Sequence, residues 1–216
     1  MSGDPASAAP VQRAARRAGQ QEQRREHILA AALQVFARDG LEGATVRAIA
    51  AEAGYATGAL YAYFDGKEEI YAELLSRSLN RLHKAMRQSV SNAASSASGR
   101  ARAAALAFFS YYRQHPDELE LGLYLSRGAA PRGLTAELDR ELNGRLIGVL
   151  ELIAQPLREH LGGPPDTANR ATVRLAALII GGLILDATGR LKVLGQHAET
   201  LVDDTLRDLL ERRPQL

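Results

Sequence analysis

The stretch GYATGALYAYFDGKEE, residues 54–69, concentrates hydrogen-bond donors. It holds Tyr55, Tyr61 and Tyr63, the hydroxyl of Thr57 and the ammonium of Lys67. Phenols, hydroxyls and an amine close together suit phosphate oxygens, which accept from all three. They do not suit turnover. The five histidines, His27, His83, His115, His160 and His197, are scattered, with no i, i+4 metal pair. There is no cysteine, no G-x-S-x-G elbow and no phosphate-binding P-loop. No catalytic residue, metal or cofactor is expected, and the chain is read as not an enzyme.

Short helices must position these donors. Ile28, Leu29, Ala32, Leu33 and Phe36 recur at helical spacing, predicting a first helix over Glu22–Arg38, with Gly40 placed to end it. Thr45 is a good N-cap for a second helix burying Val46, Ile49, Ala50 and Ala53, which stops at Gly54. A third runs from Thr57 to Phe64. Leu60 and Phe64, four apart, share its buried stripe, so Tyr61 and Tyr63 lie off it. A fourth opens at Lys67, with Asp65 and Glu68 in a capping-box pattern.

Two short helices joined at a glycine form a helix-turn-helix pattern, whose second helix enters the major groove by its N-terminal end. That end, Ala56-Thr57-Gly58-Ala59, is small and allows close approach to DNA. This gives a reason for Gly58, which costs ~1 kcal/mol relative to alanine inside a helix. Tyr61 and Tyr63 can donate to phosphates, and Lys67 beside free amides would clamp one. Thr45 has its hydroxyl for the cap or for a phosphate. The plainer alternative is two helices of an all-α core, with packed tyrosines and a solvated Lys67.

The residues also carry a resemblance. TVRAIAAEAGYATGALYAYFDGKEEIYAELL resembles the DNA-binding segment of the tetracycline-repressor-like (TetR) family. It agrees at Thr45, Ile49, Ala50, Ala53, Gly54, Gly58, Leu60, Tyr61, Phe64, Lys67, Glu68 and Glu69. The resemblance covers roughly residues 22 to 75. Tyr55-Ala56 replaces the usual Val-Ser, and Tyr63 the usual His, which puts the operator sequence in doubt. Ala56 also removes the hydroxyl that usually caps the recognition helix. The resemblance implies that Thr45, Tyr61, Tyr63 and Lys67 hold phosphates, and that Thr57, Gly58 and Ala59 face base edges. Arg47 would add a base or phosphate contact, and Tyr55 can reach a phosphate. With few polar side chains at the tip, methyl contacts and DNA shape should carry much of the readout.

The chain has 216 residues, 46% of them hydrophobic, enough to bury a sizeable core, and a net charge of only +2. Any nucleic-acid surface must therefore be a local patch. No signal peptide opens the sequence, and its longest uncharged apolar run, LAALIIGGLIL, is too short to span a bilayer. A cytoplasmic protein without membrane contact is expected. Residues 1–20 read as a flexible basic arm: either a solvated, solubilising tail or, with Arg13, Arg16, Arg17, Arg24 and Arg25, a segment laid on phosphates or in a minor groove.

The expected architecture is all-α: a helix-turn-helix domain over 21–66 and a helical effector-binding and dimerisation domain over 67–216. A long helix from Thr167 to Leu194 carries two apolar seams. One is Ala171, Leu175, Leu178, Gly182 and Leu185; the other is Ala177, Ile180, Ile184, Ala187 and Leu191. One side can meet the core and the other a second subunit. Leu175, Leu178, Gly182 and Leu185, with Val202, Leu206 and Leu209 of the last helix, are the expected interface. The resemblance implies a four-helix dimer bundle; a buried helix in a monomer is the alternative. His83, Phe108, Phe109, Tyr112 and Tyr124 are candidates to line a small-molecule pocket, against a plain aromatic core. The expected partners are double-stranded DNA, a second copy of the chain and a small-molecule effector. The whole reads as a ligand-released repressor on a palindromic operator. The alternative is an effector-independent architectural or nucleoid factor.

Overall fold

The computed structural model describes residues 8–123 and 134–211. Among them are ten helices and no strand: α1 (Ala8–Gly43), α2 (Val46–Glu52), α3 (Thr57–Leu60), α4 (Lys67–Asn92), α5 (Ala97–Gln114), α6 (Pro116–Leu123), α7 (Ala136–Leu161), α8 (Pro165–Ala187), α9 (Arg190–Val193) and α10 (Ala198–Glu211). The chain forms two compact units. The first joins Met1–Leu74 to Glu120–Leu138; the second joins Leu75–Leu119 to Asp139–Leu216.

In the first unit, Ile28, Ala32, Val35 and Phe36 of α1 are buried with Ile49 and Ala50 of α2, Leu60, Phe64 and Ile70. The ring of Phe36 meets Tyr71 edge-on, 5.0 Å between centroids, a favourable arrangement for two π-systems. Gly40 takes the positive φ of 69° expected of it, and the chain kinks there before one more turn. The amino-terminal arm departs from expectation. Residues 8–20 are not a flexible tail but the opening turns of α1. The packed segment around Ile28 supplies the costly nucleus, and Ala, Gln and Arg propagate a helix from it at little cost.

In the second unit, α8 packs on α5 and α10. The predicted long helix stops early, at Ala187, because Gly189 turns the chain with a φ of 70°. By length and composition α8 could also cross a bilayer. Here it buries Leu175, Ile179 and Leu183, as a core helix does. α5 ends where predicted, at His115 before Pro116.

Candidate nucleic-acid interface

The turn between α2 and α3 is closed by a paired motif. Gly54, at φ 71°, donates to the Ala51 carbonyl (3.1 Å), and Tyr55 donates to the Ala50 carbonyl (2.9 Å). This pairing needs a left-handed residue at the glycine, which a Cβ would strain. Thr45 caps α2: its oxygen accepts from the Ala48 N–H at 3.0 Å. The hydroxyl hydrogen is not used by that bond and can still be donated outward. Thr45 and Arg47 are both exposed.

The recognition helix is shorter than predicted. α3 is regular only over Thr57–Leu60, and Tyr61–Tyr63 form a turn, in which Tyr63 N–H reaches the Leu60 carbonyl at 2.9 Å. Ala56 makes no side-chain cap, as its lost hydroxyl requires. Leu60 and Phe64 are buried, and Gly58 and Ala59 are exposed, with Thr57 half-buried. Tyr61 is 56% exposed, unusual for a ring of its size among buried neighbours. Tyr63 and Tyr55 are half-buried. A Cβ added to Gly58 would meet nothing within 4 Å, and its backbone is ordinary helix. Nothing inside the protein therefore requires a glycine there.

Two residues of α1 hold this surface in place. The Arg25 guanidinium lies 4.3 Å from the centroid of the Phe64 ring, donates to the Tyr63 carbonyl at 3.0 Å and pairs with Glu73 at 3.4 Å. It is a brace of the module. The His27 ring meets Tyr55 edge-on, 5.8 Å between centroids, and so orients the residue that opens the turn into α3. Arg25 had been grouped with the arm by charge alone.

Lys67 is corrected. Its Nζ donates to the carbonyls of Leu41 (2.8 Å), Ala44 (2.9 Å) and Glu42 (3.2 Å). An ammonium has three hydrogens, and all three have acceptors here. The residue ties the end of α1 to the start of α4 and is not the phosphate clamp the sequence suggested. The capping box is shifted too: Glu69, not Glu68, accepts from the Asp65 N–H, at 2.6 Å.

Residues 28–74 match the family model for bacterial regulatory proteins of the tetR family. Over 77 residues the chain is 43% identical to the HTH-type transcriptional repressor KstR2 of Mycobacterium tuberculosis, covering 36% of this chain and 38% of that protein. Over 133 residues it is 35% identical to KstR2 of Rhodococcus jostii, covering 59% and 64%. The likeness to the tetR family is thus carried by the amino-terminal part of the chain. The chain matches less than two thirds of the length of these curated relatives. The all-helical fold extends further: the transcriptional regulator FadR of Bacillus subtilis, solved with stearoyl-CoA, superposes with a TM-score of 0.66 at 22% identity, over 86% of this chain and 97% of that one. A TetR/AcrR-family regulator of Thermobifida fusca gives 0.63 at 22%, over 88% and 100%. The curated KstR2 relatives this chain matches are transcriptional repressors.

In the second unit the aromatics expected to wall a ligand are core. Phe108 and Phe109 are fully buried and Tyr112 nearly so; Phe108 meets Tyr112 edge-on at 5.1 Å. His83 is half-buried on α4. Tyr124 lies outside the described residues. An open cleft of about 690 Å³ in the first unit is lined by Asp65, Gly66, Glu68, Glu69, Leu134, Thr135 and Leu138, none of them a predicted ligand residue.

The expected dimer residues also need correction. Leu175, Gly182, Val202 and Leu206 are buried within the chain itself, where α8 meets α10. A Cβ on Gly182 would stand 3.4 Å from the Ala198 Cβ. Leu178 and Leu209 are half-buried, and Leu185 is 39% exposed. Of the other seam, Ala177 and Ala187 are exposed, Ile180 and Ile184 half-buried and Leu191 buried, and Val173 beside it is 60% exposed.

One further cluster has no local signature in the sequence. Glu118 of α6 accepts from Ser78 Oγ and Tyr111 Oη, each at 2.6 Å, and from Arg81 Nη2 at 2.6 Å. Burial pushes its carboxyl up, but the bonds from Ser78, Tyr111 and Arg81 outweigh this and hold it below its usual range. Burial, reinforced by Glu118, pushes the Tyr111 phenol up to about 12. The cluster fastens α4, α5 and α6 together.

Proposed function

We propose that the chain is a DNA-binding transcriptional repressor that reads a two-fold operator as a homodimer and leaves it when a small molecule binds. The observation that carries the DNA-binding reading is Gly58. It is exposed, free of internal contact and helical, so its cost of up to ~1 kcal/mol serves something outside the chain. Thr57, Gly58 and Ala59 would approach base edges; Thr45, Tyr55, Tyr61 and Tyr63 would donate to phosphates; Arg47 would add a base or phosphate contact.

A single module makes few contacts, and two-fold pairing on half-sites about 34–36 Å apart is the usual remedy. The partly exposed apolar seam of α8 (Val173, Ala177, Ile180, Ile184) supports pairing through that face. α4, continuous from Lys67 to Asn92, begins in the first unit and ends in the second. A ligand preferring one spacing of the reading heads would shift the population by its differential affinity. FadR, of the same fold, was solved with stearoyl-CoA. Acyl-bearing molecules are therefore the effector class to screen first. The protein would act in the cytoplasm, where bacterial DNA lies.

The test is selection of fragments bound by the purified protein from genomic DNA, followed by Tyr61→Phe and Thr57→Ala on the selected site. Loss of affinity with folding retained is expected. Absence of any sequence preference, or full affinity in both variants, would overturn the reading.

A further inference from the structure

We propose that the exposed amino-terminal half of α1 is a second DNA-contact element, tracking phosphates that flank the half-site read by α3. The proposal rests on the DNA-binding reading above and adds a surface to it. Arg13, Arg16, Arg17, Gln20, Arg24 and His27 are all exposed on α1. Their spacing from Arg13 is 3, 4, 7, 11 and 14 residues. At ~100° per residue these six fall within an arc of about 100°, one face of the helix. Glu22 and Glu26, the acids of this stretch, fall on the opposite side. The separation of charge is thus built into the register of the helix.

The whole chain has 27 basic against 25 acidic residues, so this one-sided stripe is not a general property of the surface. A solubilising tail needs neither order nor sidedness. The stripe also ends at a defined place. His27, its last member, packs against Tyr55, the residue that opens the turn into α3. The positive face therefore starts beside the recognition helix and runs away from it. From His27 back to Arg13 is fourteen residues, about 21 Å along the axis at ~1.5 Å each. That matches roughly six base pairs of backbone at ~3.4 Å per step. Arg25, one residue off the stripe, is committed to Phe64, Tyr63 and Glu73 and takes no part.

The ligand is thus the sugar–phosphate backbone of duplex DNA outside the specific site, contacted without base readout. The experiment uses the full chain and the duplex it selects, made with and without flanks of about eight base pairs. The variants are Arg13→Gln/Arg16→Gln/Arg17→Gln and the matching triple Arg→Lys. Glutamine is as good a helix former as arginine, so α1 survives, which the helical circular dichroism checks. Expected for the glutamine triple is a salt slope shallower by about 2.7 per bound protomer, with the benefit of the flanks lost and the preference among core sequences kept. The lysine triple should keep the wild-type slope. Equal slopes and equal flank dependence in the wild type and the glutamine triple would overturn the proposal while leaving the recognition helix untouched. Failure of the wild type to prefer any duplex would instead bring down the DNA-binding reading itself.

Discussion

Gly58→Ala should move stability and DNA affinity in opposite directions. The position is helical, exposed and open: the new methyl would meet nothing within 4 Å. Alanine is favoured over glycine in a helix by about 0.5–1 kcal/mol, mostly through the entropy of the unfolded chain. For a chain of this size that gain raises the melting temperature by about 1–4 °C. On DNA the same methyl stands between the α3 backbone and the groove wall. A loss of at least about tenfold in affinity, or ~1.4 kcal/mol, is expected. Thermal unfolding without DNA and fluorescence anisotropy with the selected operator read the two effects separately. A stabilised variant with wild-type affinity would show that the tip of α3 does not approach DNA closely. A destabilised variant would show that Gly58 answers an internal need after all. Either result refutes the argument from its open surroundings.

Four further substitutions test particular positions. Lys67→Met removes three bonds to main-chain carbonyls and should cost about 2–3 kcal/mol in urea unfolding, with the salt slope of DNA binding unchanged; a slope lower by about one at full stability would restore Lys67 as a phosphate ligand. Val173→Asp, on the outward face of α8, should yield a folded monomer in sedimentation. Leu175→Ala, in the core, should instead lose about 2–5 kcal/mol of stability. Glu118→Gln should be less stable than wild type at about pH 7 and converge with it in acid. The lowered carboxyl pKa contributes stability that is fully present above the unfolded value of ~4.3 and is lost as pH falls through the folded one. Melting temperatures measured across that range check the sign.

What was legible in the sequence was local. Thr45 as a cap, Gly54 as a turn of positive φ, and Leu60 with Phe64 as a buried pair each depend on residues within a few positions, and each stands as read. Gly40 has the positive φ but an extended ψ of 172°, so it kinks α1 instead of ending it. Lys67 was misread because its acceptors lie 23 to 26 residues away, and a lysine at a helix start carries no local mark of them. The Glu118 cluster hides for the same reason, with Ser78 and Arg81 some 40 and 37 residues distant. The arm failed differently. Low hydrophobicity was taken for disorder, although its alanines, glutamines and arginines are strong helix formers joined to a packed helix.

The dimer face shows why a helix apolar on all sides has no readable direction. Both seams of α8 have heptad-like spacing, and α10 also carries an apolar stripe. Choosing the seam that meets a second subunit requires knowing which one α10 covers. The packing of α10 on α8 decides it, with Gly182 buried against Ala198. Once α10 occupies that side, Leu175 is sealed beneath it, while Val173 and Ala177 stay exposed and Ile180 and Ile184 half-buried. A partner that buries this second seam removes from water apolar surface the chain cannot cover by itself, at roughly 25 cal/mol per Å². The driving force for the proposed pairing would thus follow from the same packing that builds the core.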